Sequence, residues 1–348
     1  MPSPSAESQL SDTMRERAAG DTRLLWLLLD ANRWLVTSLL SAVLFCGILA
    51  VGLLHPEPAM TLLTRGDPVE TLFQALITGT ITAVTLVLTL NQLVLSQELG
   101  AAGDQRERMN GAMQFRADVA DAVDTPVSPA EPSAFLRSLV RGTAERAENA
   151  QNVVDETTLD DDLTALLSNY LDAVLTNADS VTDQLDGGTF GEFDVVKAAL
   201  NYNYSWKLYA GRRIREAYAD ELTDEIDDSL AELVETLELF GPAREHFKTL
   251  YFQWELSDLS RTLLYVAIPA LTVAITSLLF LDVQDFVGVT AGVPDALWLL
   301  AVTTTASLLP FTVLISYILR IVTITKRTLA IGPFILRETD RSVDVDWE

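Results

Sequence analysis

Seven polar side chains between positions 74 and 96 recur at helical spacing. Gln74, Thr78, Thr82, Thr85, Thr89, Gln92 and Ser96 are separated by steps of four, four, three, four, three and four residues. At about 100° per residue, all seven fall within about 80° of one helix face. Two chemistries suit uncharged hydroxyls and amides in such a row. They can replace water around a permeating ion or small solute. They can also let two helices approach closely and hydrogen-bond across an apolar contact. The same pattern recurs at Thr262, Tyr265, Thr272 and Thr276, with Pro269 in the middle place, and more sparsely at Thr305, Thr312, Ser316 and Thr323.

Other candidate chemistry is thin. The stretch YNYSWKLYAGRRIRE gathers Lys207, Arg212, Arg213 and Arg215 among aromatic residues and is a candidate for holding an anion or a lipid headgroup. Its alternative is a set of core aromatics beside salt bridges to the many carboxylates. The acidic runs at Asp160 to Asp162 and in ADELTDEIDDSLAE lack the spacing and the glycine of a calcium loop, and read as a solvated face. His55 and His246 are isolated, and Cys46 is the sole cysteine, so no metal site and no disulfide is expected. No phosphate-binding glycine loop, nucleophile elbow, zinc-protease motif or kinase set is found, and the expectation is a non-enzyme without a cofactor.

The elements that carry the seams are apolar. Trp34 to Leu54, Leu72 to Leu95, Leu263 to Leu281 and Leu297 to Leu319 contain no Asp, Glu, Lys or Arg. Each is close to or above the roughly 20 residues needed to cross a bilayer as a helix. The expected class is all-α: four transmembrane helices with a helical domain inserted between spans 2 and 3. The expected division is a tail over 1–33, spans 1 and 2 within 34–98, an acidic helical domain over 99–260, spans 3 and 4 within 261–320, and a tail over 321–348. Arg15, Arg17, Arg23, Arg33, Arg106, Arg108, Arg261, Arg320, Lys326 and Arg327 cluster on one side of these spans. The positive-inside rule therefore predicts a multi-pass protein of the cell membrane with both termini and the inserted domain cytoplasmic.

Inside the inserted domain the period is helical. Leu163, Leu167, Tyr170, Val174, Ala178, Val181 and Leu185 form one apolar stripe, and Ile226, Leu230, Leu233, Leu237 and Phe240 form another. Breaks are predicted at TPVSPAEPS, at DGGTFGEF and at Gly241-Pro242, and strand signals are missing. Asp67-Pro68-Val69-Glu70 predicts the start of span 2 with a capping carboxylate. Spans 2 and 3 are predicted to continue beyond the membrane as helices, with Tyr251, Phe252 and Trp254 near the headgroups.

The chain has 348 residues and a formal net charge of −25, from 49 acidic against 24 basic residues, with only four lysines. Such an excess suits a salt-rich interior that screens self-repulsion. With no large basic stripe, nucleic-acid binding is not expected.

At LNQLVLSQELGAAGDQRERMN and FKTLYFQWELSDLSRTLLY the sequence resembles a group of uncharacterised haloarchaeal four-span membrane proteins, a likeness that implies a halophile and no particular activity. The layout of two spans, a helical domain and two more spans is similar to the bestrophin-type channels, which are oligomeric. The Arg-Asn-Asn and Tyr-Asp-Arg wording that follows the second span in those proteins is not present here. Two functions are expected from these readings. One is a homo-oligomeric, channel-like membrane protein with a polar path lined by span 2. The alternative is a membrane-anchored interaction or signalling module whose acidic domain binds a cytoplasmic protein partner.

Overall fold

The computed structural model describes residues 26–186 and 193–328. Among them lie eleven α-helices: α1 Arg33–Leu54, α2 Ala59–Leu63, α3 Pro68–Glu98, α4 Ala102–Ala122, α5 Pro132–Glu156, α6 Asp161–Leu185, α7 Phe193–Asn201, α8 Tyr204–Ala217, α9 Asp224–Phe280, α10 Asp295–Ser307 and α11 Leu309–Thr328. The architecture is all-α, as the periodicity indicates. The basic residues before Trp26, the glycine-rich break after Asp186 and the tail beyond Thr328 lie outside the described residues.

The described chain forms two compact units. One is built on Gly100–Phe252, the other on residues up to Leu99 together with Gln253–Ile324, and α9 passes through both.

In the first unit, α5 and α6 form a hairpin around the apolar stripe read from sequence. Leu163, Leu167, Tyr170, Val174, Ala178, Val181 and Leu185 are all buried, and Ile226, Leu230, Leu233, Leu237 and Phe240 of α9 join the same core. Burying a side chain of this size contributes about 1.5–3 kcal/mol relative to leaving it exposed. Glu131 caps α5: its carboxylate accepts from the backbone N–H of Ser133 at 3.0 Å and of Ala134 at 2.6 Å. Burial pushes this carboxyl up, but the hydrogen bonds from Ser133 and Ala134, with Arg137 nearby, hold it below its ordinary value.

Three expectations are corrected here. The helix does not break at Gly241-Pro242, since α9 runs through both residues. Gly241 instead permits close approach, because a Cβ there would meet the Tyr204 hydroxyl at 3.0 Å. Tyr251 is a core residue, buried and packed on Phe193 with ring centroids 5.8 Å apart, rather than a headgroup anchor. The helix of span 2 does not run on into the inserted domain, because α3 ends at Glu98 where Leu99 is extended and Gly100 follows.

In the second unit, α3 packs through Val69, Phe73 and Leu76 against Ala274, Ala296 and Leu300, and through Val87 against Leu259, Leu263, Val313 and Tyr317. Residues 253–260 belong to this bundle. The expected span 4 is two helices, α10 and α11, bent by 48°. Pro310 accounts for the bend, since it lacks the N–H and its ring crowds the preceding turn. Pro269 leaves α9 unbroken. The loop after α9 carries a small hairpin that was not expected, β1 Val289–Thr290 paired antiparallel with β2 Val293–Pro294. Its turn is made by Ala291 and Gly292, both at positive φ as a primed turn requires.

Candidate functional site

The start of α3 is set by Pro68 at the first helical position and Glu70 in the first turn. Asp67 occupies the capping position, but in the left-handed region at φ 56°, and its side chain makes no capping bond. Its backbone carbonyl accepts the Thr71 N–H instead, at 3.2 Å. From that anchor the helix presents Val69, Phe73, Leu76, Thr80, Ala83 and Val87 inward, all buried.

The opposite face carries the polar seam. Gln74, Thr78, Thr82, Thr85, Thr89, Gln92 and Ser96 are all exposed, flanked by exposed Ile81 and Leu95 on one side and Leu86 and Leu93 on the other. Each seam hydroxyl donates back to its own helix. Thr78, Thr82, Thr85 and Thr89 bond the carbonyls four residues earlier at 2.8 to 3.0 Å, and Ser96 bonds Leu93 O at 2.6 Å. Their hydrogens are thus occupied, and the oxygen lone pairs face outward as acceptors.

The other two seams divide. On α9, Tyr265, Thr272 and Thr276 are exposed and Thr262 is half-buried. Thr312 and Ser316 of α11 are buried instead, and meet α1 through side-chain hydrogen bonds of 3.2 Å between Ser316 and Thr37 and between Thr312 and Ser41. This last seam is an interface between helices of one chain. Gly79 of α3 has a different use: a Cβ there would touch the Phe311 ring at 3.4 Å.

The basic cluster of α8 is not brought together as one anion cradle. Lys207 is fully buried, with its Nζ 2.9 Å from Asn177 Oδ1 and 5.4 Å from the Tyr202 ring centroid. Arg212 pairs with Glu238 at 2.6 Å, and Arg215 holds Asp227 through two hydrogen bonds of 2.7 and 2.9 Å. Those bonds keep the Asp227 carboxyl below the ordinary carboxylate range and push Arg215 up. Arg213 is exposed. Burial raises the hydroxyls of Tyr170 and Tyr202 well above the usual phenol range. Among the described residues, no three His, Cys, Asp or Glu side chains gather as a metal site.

A second constellation escaped the sequence reading. Arg33, at the start of α1, is salt-bridged to Glu255 of α9, and its guanidinium sits 4.5 Å from the Tyr317 ring centroid on α11. The Tyr317 hydroxyl donates to Asp258 at 2.6 Å, and Asp258 also pairs with Arg261 at 2.6 Å. Arg320 donates to the carbonyls of Leu28 and Ala31. Charges that signalled only orientation in the sequence thus tie three helices together. The sequence does not reveal it, because the partners on different elements lie 59 to 292 positions apart.

Three helices, Arg33–Leu54, Pro68–Ser96 and Asp224–Phe280, are long and apolar enough to cross a membrane, and the bent α10–α11 pair makes four if it counts as one span. Helices of this length and composition suggest a multi-pass membrane protein with a lipid bilayer around it. Within that class the chain belongs to a family of unknown function, DUF7972, which residues 2–348 match. No curated protein and no solved structure matches it.

Proposed function

We propose that this protein is an oligomeric, channel-like membrane protein in which the α3 helices of several copies line a shared polar path. One observation carries the reading: all seven seam residues are exposed on a single chain, directly opposite the face of α3 that is buried. Polar groups turned to hydrocarbon are costly, so a row this long calls for water or another protein surface. The acceptor-rich lining favours water or a cation over an anion, and no Lys or Arg lies between Pro68 and Glu98.

The alternative module, anchored in the membrane and acting through its acidic domain, expects the seams to be buried within one chain. The α11 seam meets that expectation, and the α3 seam does not. The distribution of Arg and Lys supports a cytoplasmic position for both termini and for residues 99–260. The acid excess supports a salt-rich interior.

The test is flux from purified protein in liposomes, measured for the wild type, Gln92→Leu and Thr85→Val. The reading expects cation flux that either substitution changes by several-fold. Wild-type protein that conducts nothing, or flux indifferent to both changes, would overturn it.

A further inference from the structure

The loop that joins α9 to α10 is pinned to its unit yet turns apolar side chains outward. Val283 and Val293 are buried. The Asp295 N–H donates to Gly288 O at 2.9 Å, and the Trp298 indole N–H donates to Thr290 O at 3.1 Å. On this anchored hairpin Val287 and Val289 are 81% and 67% exposed, with Phe286 exposed beside them. Strand pairing explains the division. Val289 faces Pro294 and Thr290 faces Val293 across the ribbon, so Val289 stands on the side opposite the buried Val293.

Composition names the chemistry that meets this surface. From Phe286 to Pro294 there is no charged side chain, in a chain whose net charge is −25. No Lys or Arg lies between Arg261 and Arg320, so the attraction is apolar and not electrostatic. The patch also continues the apolar surface of α9, whose last turns leave Ile275, Leu279 and Phe280 exposed on a helix long and apolar enough to span a membrane. Trp298 suits the same boundary, where an indole buries its ring and keeps its N–H bonded. Depth is limited by the backbone. A two-stranded ribbon leaves unpaired N–H and C=O groups along its outer edges, which bars it from dry hydrocarbon and confines it to the headgroup boundary.

We infer that the hairpin between α9 and α10 is an interfacial anchor: Phe286, Val287 and Val289 enter the boundary between headgroups and acyl chains, while Asp282 and Asp285 stay in water. The inference rests on the membrane reading of the chain and not on the polar path along α3.

Nitroxide labels at Val287→Cys and Val289→Cys, each in a Cys46→Ala background and reconstituted into phosphatidylcholine vesicles, test it. Power-saturation electron spin resonance compares collisions with oxygen, which partitions into lipid, and with a water-soluble nickel chelate. Val43→Cys, at a position 63% exposed on α1, is the reference for lipid, and Asp179→Cys on the exposed side of α6 is the reference for water. The oxygen-to-nickel ratio at both hairpin positions is expected to exceed that at Asp179→Cys about fivefold or more and to stay below that at Val43→Cys, as an interfacial depth requires. Hairpin ratios equal to that at Asp179→Cys, with Val43→Cys lipid-like, overturn the inference and leave the membrane reading intact. A water-like ratio at Val43→Cys as well sinks both. Labels shielded from both reagents and broadened by spin–spin coupling would give the surface to a second copy of the chain, and would equally overturn it.

Discussion

Arg33→Leu is the perturbation that the structure weighs most directly. The side chains of Arg33 and Glu255 are 15% and 12% exposed, so both charges are largely withdrawn from water. Removing one partner leaves the Glu255 carboxylate buried without its cation, which costs about 3–5 kcal/mol for fully buried pairs. The residual exposure argues for the low end. The guanidinium also sits over the Tyr317 ring, a contact of about 1 kcal/mol when partly desolvated. The two losses overlap, so the single variant is expected to lose about 3 kcal/mol, roughly a hundredfold in the unfolding equilibrium. The double variant Arg33→Leu/Glu255→Leu strands no charge and should lose about 1 kcal/mol or less, because a buried ion pair replaced by apolar side chains is close to neutral. Equilibrium unfolding in mixed detergent micelles, followed by circular dichroism, reads both values. If the double variant falls as far as the single one, the pair is not coupled and the reasoning fails.

Gly211→Ala places a Cβ 2.5 Å from the Tyr170 hydroxyl, which is bonded to Lys207 O at 2.9 Å, and should cost about 1–3 kcal/mol by overpacking in thermal melts. The depressed Asp227 carboxyl adds stability above the unfolded carboxylate value near 4, and that stability is lost as pH falls through the lower folded value. Asp227→Asn should therefore flatten the acid limb of a stability profile taken from pH 6 to pH 3, and an unchanged limb refutes the assignment. Raising salt from 0.1 M to 1 M shortens the screening length from about 10 Å to about 3 Å. With a net charge of −25 the thermal midpoint should climb, and a flat response would show that self-repulsion is minor. Cys46 is exposed on α1 and should resist a charged maleimide in intact membranes yet label in detergent, where equal labelling in both would argue against a span at Arg33–Leu54.

How much of this was legible in the sequence depends on the range of the forces involved. Helical period is a local property, so the stripes from Leu163 to Leu185 and from Ile226 to Phe240 identified core residues correctly. Punctuation was less secure. Gly241-Pro242 reads as a stop by local rules, but burial on both sides of it keeps α9 helical, and the glycine serves contact with Tyr204. Leu99-Gly100 carries a weaker local signal, yet there the helix stops, with Leu99 extended and Gly100 following before the next helix starts at Ala102. The Arg33 constellation was out of reach, because no local pattern tells one arginine near a membrane surface from another.

The polar seams show the same limit in its sharpest form. Period places Thr78, Thr85 and Gln92 on one face as surely as it places Thr312 and Ser316 on another, and says nothing about what each face meets. The structure separates them by their hydrogen bonds. On α11 the hydroxyl oxygens accept from or share with Thr37 and Ser41 of the same chain, so the seam closes within one molecule. On α3 each hydroxyl turns its hydrogen inward and leaves its oxygen toward the surroundings. Identical residue types thus end in opposite roles, decided by whether a neighbouring helix of the same chain lies within about 3 Å. A face that five hydroxyls and two amides keep polar, on a helix otherwise apolar enough to span a membrane, is the part of α3 that the proposed oligomeric reading turns toward a shared path, and flux through Gln92→Leu and Thr85→Val is what decides it.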